Sequence, residues 1–328
     1  MTMINNIIVS SSIVITCLGM YLSNIPCFFA LIPIFGLIIY HLLKQKTSNP
    51  NDVQEFFDNF KVGGHRGSPV MRPENTMQSF EQAKTEGVDL IEFDLALTKD
   101  KVCVLLHDDT LDRTTDFKGN VRNYTYNELK KANAAAKFNW PSGETIFETT
   151  IPTLKEVVKF AQSKNLKMLF DIKDTDDELV NQIVKLFKTE NLYTTTIICS
   201  FFPQVIYKIK KADPRILVGY TWRRYFFSYK DIENTTPRFD SPLHYLAVLV
   251  DIINVWGIYT FLPSFLGADM ILTERSEISE RFIINNAAVG RKVCAWTVND
   301  LNEMRWMQNI LQIPVLTDKP FLIEDVPY

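Results

Sequence analysis

Cysteine is sparse and unpaired in this sequence: five residues in 328, with no repeated short spacing. Cys17 and Cys27 lie in apolar N-terminal runs. Cys103, Cys199 and Cys294 lie in strand-like segments, where a thiol behaves as a small hydrophobe. A disulfide framework and a zinc site are therefore not expected. An excess of basic charge is missing too. The formal net charge is -3 and no basic block crosses the chain, so nucleic acid is not an expected partner. Histidine is scarce, with four residues in all. Two of them, His65 and His107, each close a short apolar run.

Charge is absent altogether from Ile4 to about Ser23. After Asn24-Ile25-Pro26 a second apolar run continues from Cys27 to Leu43. Each run approaches the roughly 20 residues that span a bilayer. No basic segment precedes the first run, and the apolar stretch is about twice too long for a cleaved leader. Residues 1–45 read as a membrane anchor, either a two-helix hairpin turned at Asn24 and Pro26 or one long tilted span. His41, Lys44 and Lys46 pull the end of the second run towards the cytosol.

Residues 46–60 read as a polar linker. Beyond it, apolar strand-like runs alternate with amphipathic helical stretches through residues 61–320. Repeated alternation argues for a parallel sheet, and the number of units fits a TIM-type (β/α)8 barrel. Thr76 and Asp300 are expected helix N-caps. The strand candidates number nine, one too many for the barrel. Lys99-Asp100-Lys101 is too short for a parallel crossover, which needs about a dozen residues. Either the second and third candidates form an antiparallel arm, or the last lies outside the barrel. Residues 222–267 interrupt the rhythm with Trp222, Tyr225, Phe226, Phe227 and an apolar run from Tyr245 to Leu266 broken by Asp251. A lid or membrane-resting element is expected there, with a further span as the alternative.

Glu92 and Asp94 stand two apart on an expected strand, so both point to one face. That face also carries Leu90 and Ala96 and is otherwise apolar, where two unpaired carboxylates would be costly. At the C-terminal mouth of a barrel they make a hard-oxygen site suited to Mg2+ or Ca2+. Asp171-Ile172-Lys173 repeats the pattern, adding a third carboxylate and a cation. His65 and His107, expected at strand C-termini, would meet across the same opening. Two histidines can divide the proton transfers of phosphodiester cleavage. Arg66 supplies a planar cation for phosphate oxygens, and Gly67 lets the backbone turn close to a ligand.

His65-Arg66-Gly67, Pro73-Glu74-Asn75-Thr76, Glu92-x-Asp94, His107-Asp108 and Trp296-Thr297-Val298-Asn299, in that order, resemble the glycerophosphodiester phosphodiesterase family over about residues 61–320. The resemblance implies a divalent-cation enzyme that releases glycerol 3-phosphate and an alcohol. It implies His65 and His107 as the acid–base pair, and Glu92, Asp94 and Asp171 as metal ligands. Arg66 and Lys173 would bind phosphate, and Trp296 would pack against glycerol. Many family members carry Glu where this chain has Asp171.

The stretch Cys199 to Lys208, and Pro237-Arg238-Phe239-Asp240 before the apolar run, are similar to a membrane-anchored animal subgroup. That likeness implies glycerophosphoinositol-type or glycerophospho-N-acylethanolamine substrates and a catalytic domain facing the lumen or cell exterior. Asn123-Tyr124-Thr125 and Asn234-Thr235-Thr236 are glycosylation sequons compatible with that side. Cleavage of acylated lysophospholipids is the nearest alternative activity. A catalytically silent membrane protein that uses the barrel for binding is the alternative of a different kind.

Overall fold

A computed structural model describes residues 27–325 apart from Glu144 and Ile146. The first apolar run, 4–23, lies outside the described residues. The strands are β1 (Val62–Gly64), β2 (Leu90–Leu97), β3 (Cys103–Leu105), β4 (Lys167–Ile172), β5 (Thr196–Ser200), β6 (Leu217–Trp222), β7 (Met270–Glu274), β8 (Lys292–Trp296) and β9 (Val315–Thr317). All but β3 pair in parallel, and β1 joins both β9 and β2 to close an eight-stranded barrel. The surplus strand is β3, which pairs antiparallel with the far half of β2. The last candidate strand is a full barrel member.

Period-two alternation sorts the side chains of each strand. On β2, Ile91, Phe93 and Leu95 face the helices, and the Phe93 ring lies 5.7 Å from Phe80 and 5.0 Å from Phe170. Leu90 faces inward with Leu169, Leu217, Met270 and Leu316. Thr76 caps helix Met77–Thr85 through Ser79 N, and Asp300 caps Leu301–Arg305. Thr153 and Glu156 form a reciprocal capping box on Leu154–Ser163.

The stretch expected to be a polar linker is partly helical. Pro50–Phe57 forms a helix whose Val53 and Phe56 are buried. With Phe60 they pack into the inward-facing cluster of the barrel. Their apolar positions follow the i, i+3 spacing of one helix face, but eight residues are too few to announce a helix against a polar background. Plugging the N-terminal end leaves the C-terminal mouth as the open side.

Between β6 and β7 the insertion forms a loop, helix Leu243–Thr260 and helix Leu262–Leu266. The long helix is apolar and long enough to cross a membrane by composition. It is tied to the barrel, however. Tyr220 Oη donates to Asn254 Oδ1 at 2.8 Å, and Trp222 meets Tyr259 edge-on. Ala247, Asp251, Gly257 and Ile258 form its buried side. The other side exposes Leu246, Leu249, Ile253 and Trp256. Asp251, the lone charge in the apolar run, is buried and accepts hydrogen bonds from Phe227 N, Ser228 N and Ser228 Oγ. It pins the loop to the helix.

Candidate active site

β1 runs directly into His65-Arg66-Gly67. The His65 amide continues the ladder to Thr317 O, and Gly67 N closes a turn on Gly64 O. Arg66 and Gly67 both have positive φ, +56° and +89°. A Cβ at Gly67 would lie 2.7 Å from the Ser79 backbone, so only glycine fits there. Ser79 Oγ donates to Arg66 O and accepts from Ser68 N, so the first turn of helix Met77–Thr85 seats this loop.

Three carboxylates meet on the barrel wall. Asp94 and Asp171 are direct partners on adjacent parallel strands, an arrangement of like charges that is destabilising by itself. Oxygens of Glu92, Asp94 and Asp171 lie within 4.8 Å of one another, and all three residues are buried. Burial first, then the neighbouring Asp94 and Asp171, push the Glu92 carboxyl up to about 8 against the pull of His65 and Arg66. Burial likewise pushes Asp171 up to about 6. Burial acts to raise Asp94 as well, yet Lys173 and Arg66 hold it well below the ordinary carboxylate range. Asp171 Oδ1 is buried without a hydrogen-bond partner among the described residues. A buried oxygen with no donor, next to two more carboxylates, fits a hard divalent cation.

Asp94 is the hub. Lys173 Nζ donates to Asp94 Oδ1 at 2.8 Å, and Asn75 Nδ2 to Oδ2 at 2.9 Å. Arg66 Nε lies 3.3 Å from Oδ2, and Arg66 Nη1 donates to Glu74 at 3.0 Å. Glu74 is held in turn by a two-pronged Arg113, which also grips Asp108. The Arg66 amide donates to Glu92 Oε2 at 2.7 Å.

His65 and His107 line one cavity of about 730 Å³ with the carboxylates, Arg66, Lys173 and Trp296. The route that brings His107 there differs from the expected one. It does not end a barrel strand. β3 folds back along β2, Leu106 N bonds Asp94 O, and His107 is returned to the mouth beside Asp94. The Nδ1 atom of each imidazole faces a carboxylate: Asp318 Oδ1 at 2.7 Å for His65, Asp108 Oδ1 at 2.6 Å for His107. That leaves each Nε2 for other chemistry. Burial and Arg66 act to lower the pKa of His65, but Glu92 and Asp318 outweigh them and it is raised. Burial lowers that of His107 despite Asp94 and Asp108.

Trp296 packs edge-on against Phe201, which stacks on Phe226 of the insertion at 4.1 Å. Phe226 stood out in the sequence only as part of the insertion and Phe201 only within the Cys199 to Lys208 stretch; neither was given a place in the site. Sequence reasoning also missed Asp318, which follows β9, 253 residues from its partner His65. Asn299, which donates to Asp318 Oδ2, and Asn75 stand in recognised motifs, but no role was read for either.

Residues 65–322 match the model of the glycerophosphoryl diester phosphodiesterase family. Human glycerophosphodiester phosphodiesterase 1 is 31% identical over 270 residues, covering 82% of this chain and 80% of its own. The protein of that name from mouse is 32% identical over 271 residues, with the same coverage. Among solved structures, an Oleispira antarctica phosphodiesterase in complex with the product sn-glycerol-3-phosphate aligns with a TM-score of 0.63 at 23% identity. The alignment covers 81% of this chain and 96% of that one. A glycerophosphodiester phosphodiesterase from Agrobacterium tumefaciens aligns with a TM-score of 0.61 at 19% identity, over 81% and 99%. Closed parallel barrel, motif order and whole-domain similarity agree: the chain belongs to the glycerophosphoryl diester phosphodiesterase family.

Proposed function

We propose that this protein hydrolyses glycerophosphodiesters, of glycerophosphoinositol type first, to glycerol 3-phosphate and an alcohol. The observation that carries the reading is the pair of carboxylate-held imidazoles lining one cavity with a buried carboxylate triad. Glu92, Asp94 and Asp171 would hold the cation, Mg2+ ahead of Ca2+, which when bound supplies Lewis-acid polarisation of the phosphodiester. Arg66 and Lys173, which line the same cavity, would bind the phosphate oxygens. Trp296 would pack against the glycerol carbons.

The reaction needs one base and one acid. One histidine takes the proton of the nucleophile, either water or the substrate's own glycerol hydroxyl. The other protonates the departing oxygen. Attack by the glycerol hydroxyl would pass through a cyclic phosphate, which water then opens. Asp318 and Asp108 fix the tautomer and plane of the two rings, so that each Nε2 serves the reaction.

Helix Cys27–Leu43 would anchor the protein in a membrane, with the catalytic domain on the lumenal or exterior side. The exposed apolar residues Phe35, Ile38, Ile39 and Leu42 support this reading. So does the apolar side of Leu243–Thr260, which would rest on the same bilayer. Tyr40 lies 6.4 Å from Phe261, which caps Leu243–Thr260, and 5.7 Å from Phe265 of the short helix Leu262–Leu266 that follows.

Glycerol 3-phosphate release from glycerophosphoinositol tests the catalytic reading. His65→Ala and His107→Ala are each expected to lower kcat by roughly 10²–10⁴-fold. Full activity in either variant would remove that histidine from the mechanism.

A further inference from the structure

Two cations meet at one carbonyl on the β6 side of the catalytic cavity. Arg223 Nη2 donates to Tyr229 O at 2.9 Å, and Arg238 Nη2 donates to the same oxygen at 3.1 Å. Both guanidiniums also lie against the Phe226 ring, 5.7 and 5.4 Å from its centre. Their other acceptors are the carbonyls of Arg224 and Phe226. Neither meets a carboxylate at ion-pair distance among the described residues.

Such an arrangement is costly. Arg223 is only 6% exposed, and a buried charge without a counter-charge is strongly destabilising. Burial first, then Arg238 beside it, lower the Arg223 pKa. Two carbonyls take one N–H each from a group that has five. The carboxylates whose fields reach Arg223 are bonded elsewhere: Asp251 to Phe227 N and Ser228, Asp231 to Thr235 and Thr236, Glu274 to Ser276.

The cluster belongs to the catalytic cavity itself. Arg223 lines it, as do the exposed Lys230 and Arg238. Thr221, near the end of β6, lines it too, and its Oγ1 is buried without a hydrogen-bond partner among the described residues. An orphaned hydroxyl and an unpaired guanidinium two residues apart are a donor set with nothing to hold. Around the barrel, β6 is the fourth strand from β1 in either direction. The cluster therefore lies across the mouth from His65 and Arg66, and one cavity of about 730 Å³ joins it to the carboxylate triad.

Two guanidiniums and an ammonium suit a dianion, and guanidiniums grip phosphate oxygens in pairs. A molecule with two phosphate groups would reach both walls at once. We infer that Thr221, Arg223 and Arg238 hold a phosphate monoester carried by the leaving alcohol, so that the site takes glycerophosphodiesters of phosphorylated polyols. The inference rests on the catalytic reading above and names a substrate class for that site.

The test offers glycerophosphoinositol and glycerophosphoinositol 4-phosphate to the full chain in phosphatidylcholine nanodiscs with Mg2+. The readout is selectivity, the kcat/KM for the phosphorylated substrate divided by that for the other, so a general loss of activity cancels within each protein. Arg223→Gln is expected to lower selectivity roughly tenfold to a hundredfold, the worth of hydrogen bonds to a charged group. Because Arg223 also holds the loop, Thr221→Val is the second variant. It removes a hydroxyl that bonds nothing in the fold and should lower selectivity about twofold to tenfold. Arg224→Gln removes the same charge one position on, from a side chain paired with Glu277, and should leave selectivity unchanged.

Unchanged selectivity in both Arg223→Gln and Thr221→Val overturns the inference, while turnover of glycerophosphoinositol leaves the catalytic reading intact. An equal fall in Arg224→Gln overturns it in favour of a general effect of charge. Flat selectivity with inorganic phosphate inhibiting the wild type but not Arg223→Gln overturns it in favour of a free-anion site. Absence of turnover of either substrate by the wild type defeats both readings.

Discussion

Asp318 shows how a single residue sets the imidazole of His65, a proposed catalytic group. Its carboxylate binds His65 Nδ1 at 2.7 Å and accepts from Asn299 Nδ2 at 2.7 Å, while Asn299 Oδ1 accepts from the Asp318 amide. The histidine is thereby oriented by a group that is itself locked. Asp318→Asn keeps the shape but loses the charge. It should lower kcat by at least about tenfold, a share of what general acid–base catalysis contributes, and leave the urea midpoint little changed. An unchanged kcat would mean that the ring is positioned by something else. His65, Glu92 and Asp94 were legible because each type is costly on an apolar face without a chemical use. Asp318 was not, because only closure of the barrel brings the last strand beside the first. Asn75 sat in plain view inside a motif, yet nothing in sequence spacing says that it reaches Asp94.

At the scale of elements, β3 and the plug helix carry the main lessons. The turn Lys99-Asp100-Lys101 after Leu97 was too short for a crossover, and that stereochemical limit left an antiparallel arm as one of two solutions. The arm is what returns His107 to the mouth, so an apparent surplus strand is part of the site. The plug helix Pro50–Phe57 was hidden because its charged and amide residues dominate so short a window. Phe56 is nevertheless fully buried under the barrel interior. Phe56→Ala should cost about 3–5 kcal/mol, read as a lowered urea midpoint with an unchanged slope. A loss under about 1 kcal/mol would show that the barrel end closes without it. The insertion was legible as a break in rhythm, but hydropathy alone could not separate a span from a packed helix. Asp251 and Asn254 decide its packing by bonding the loop and β6.

For the molecule as a whole, the barrel is fastened to the segment that leads from helix Cys27–Leu43. Ser48 and Lys210 converge on buried Asp269, with Lys210 Nζ 2.9 Å from its carboxylate. Gln45 N bonds Phe265 O. With the proposed anchor in a bilayer, a chain so fastened would hold the barrel mouth at a set attitude to that surface. The proposed anchor predicts that the protein stays in the membrane pellet after alkaline carbonate. The proposed lumenal side predicts that endoglycosidase shifts its mobility and that Asn123→Gln reduces the shift, since Asn123 is exposed. Release by carbonate would contradict the anchor, and an unglycosylated Asn123 in secretory cells would count against that side.

The most direct measurement is glycerol 3-phosphate release by the full chain from glycerophosphoinositol, after EDTA treatment and then with Mg2+ or Ca2+ restored. Asp171→Asn is run alongside. The account predicts that EDTA abolishes release, that a divalent cation restores it, and that the variant needs a higher cation concentration for half-maximal rate. Release that survives EDTA, or a variant with the wild-type cation dependence, would contradict the assignment of the buried triad as the cation site.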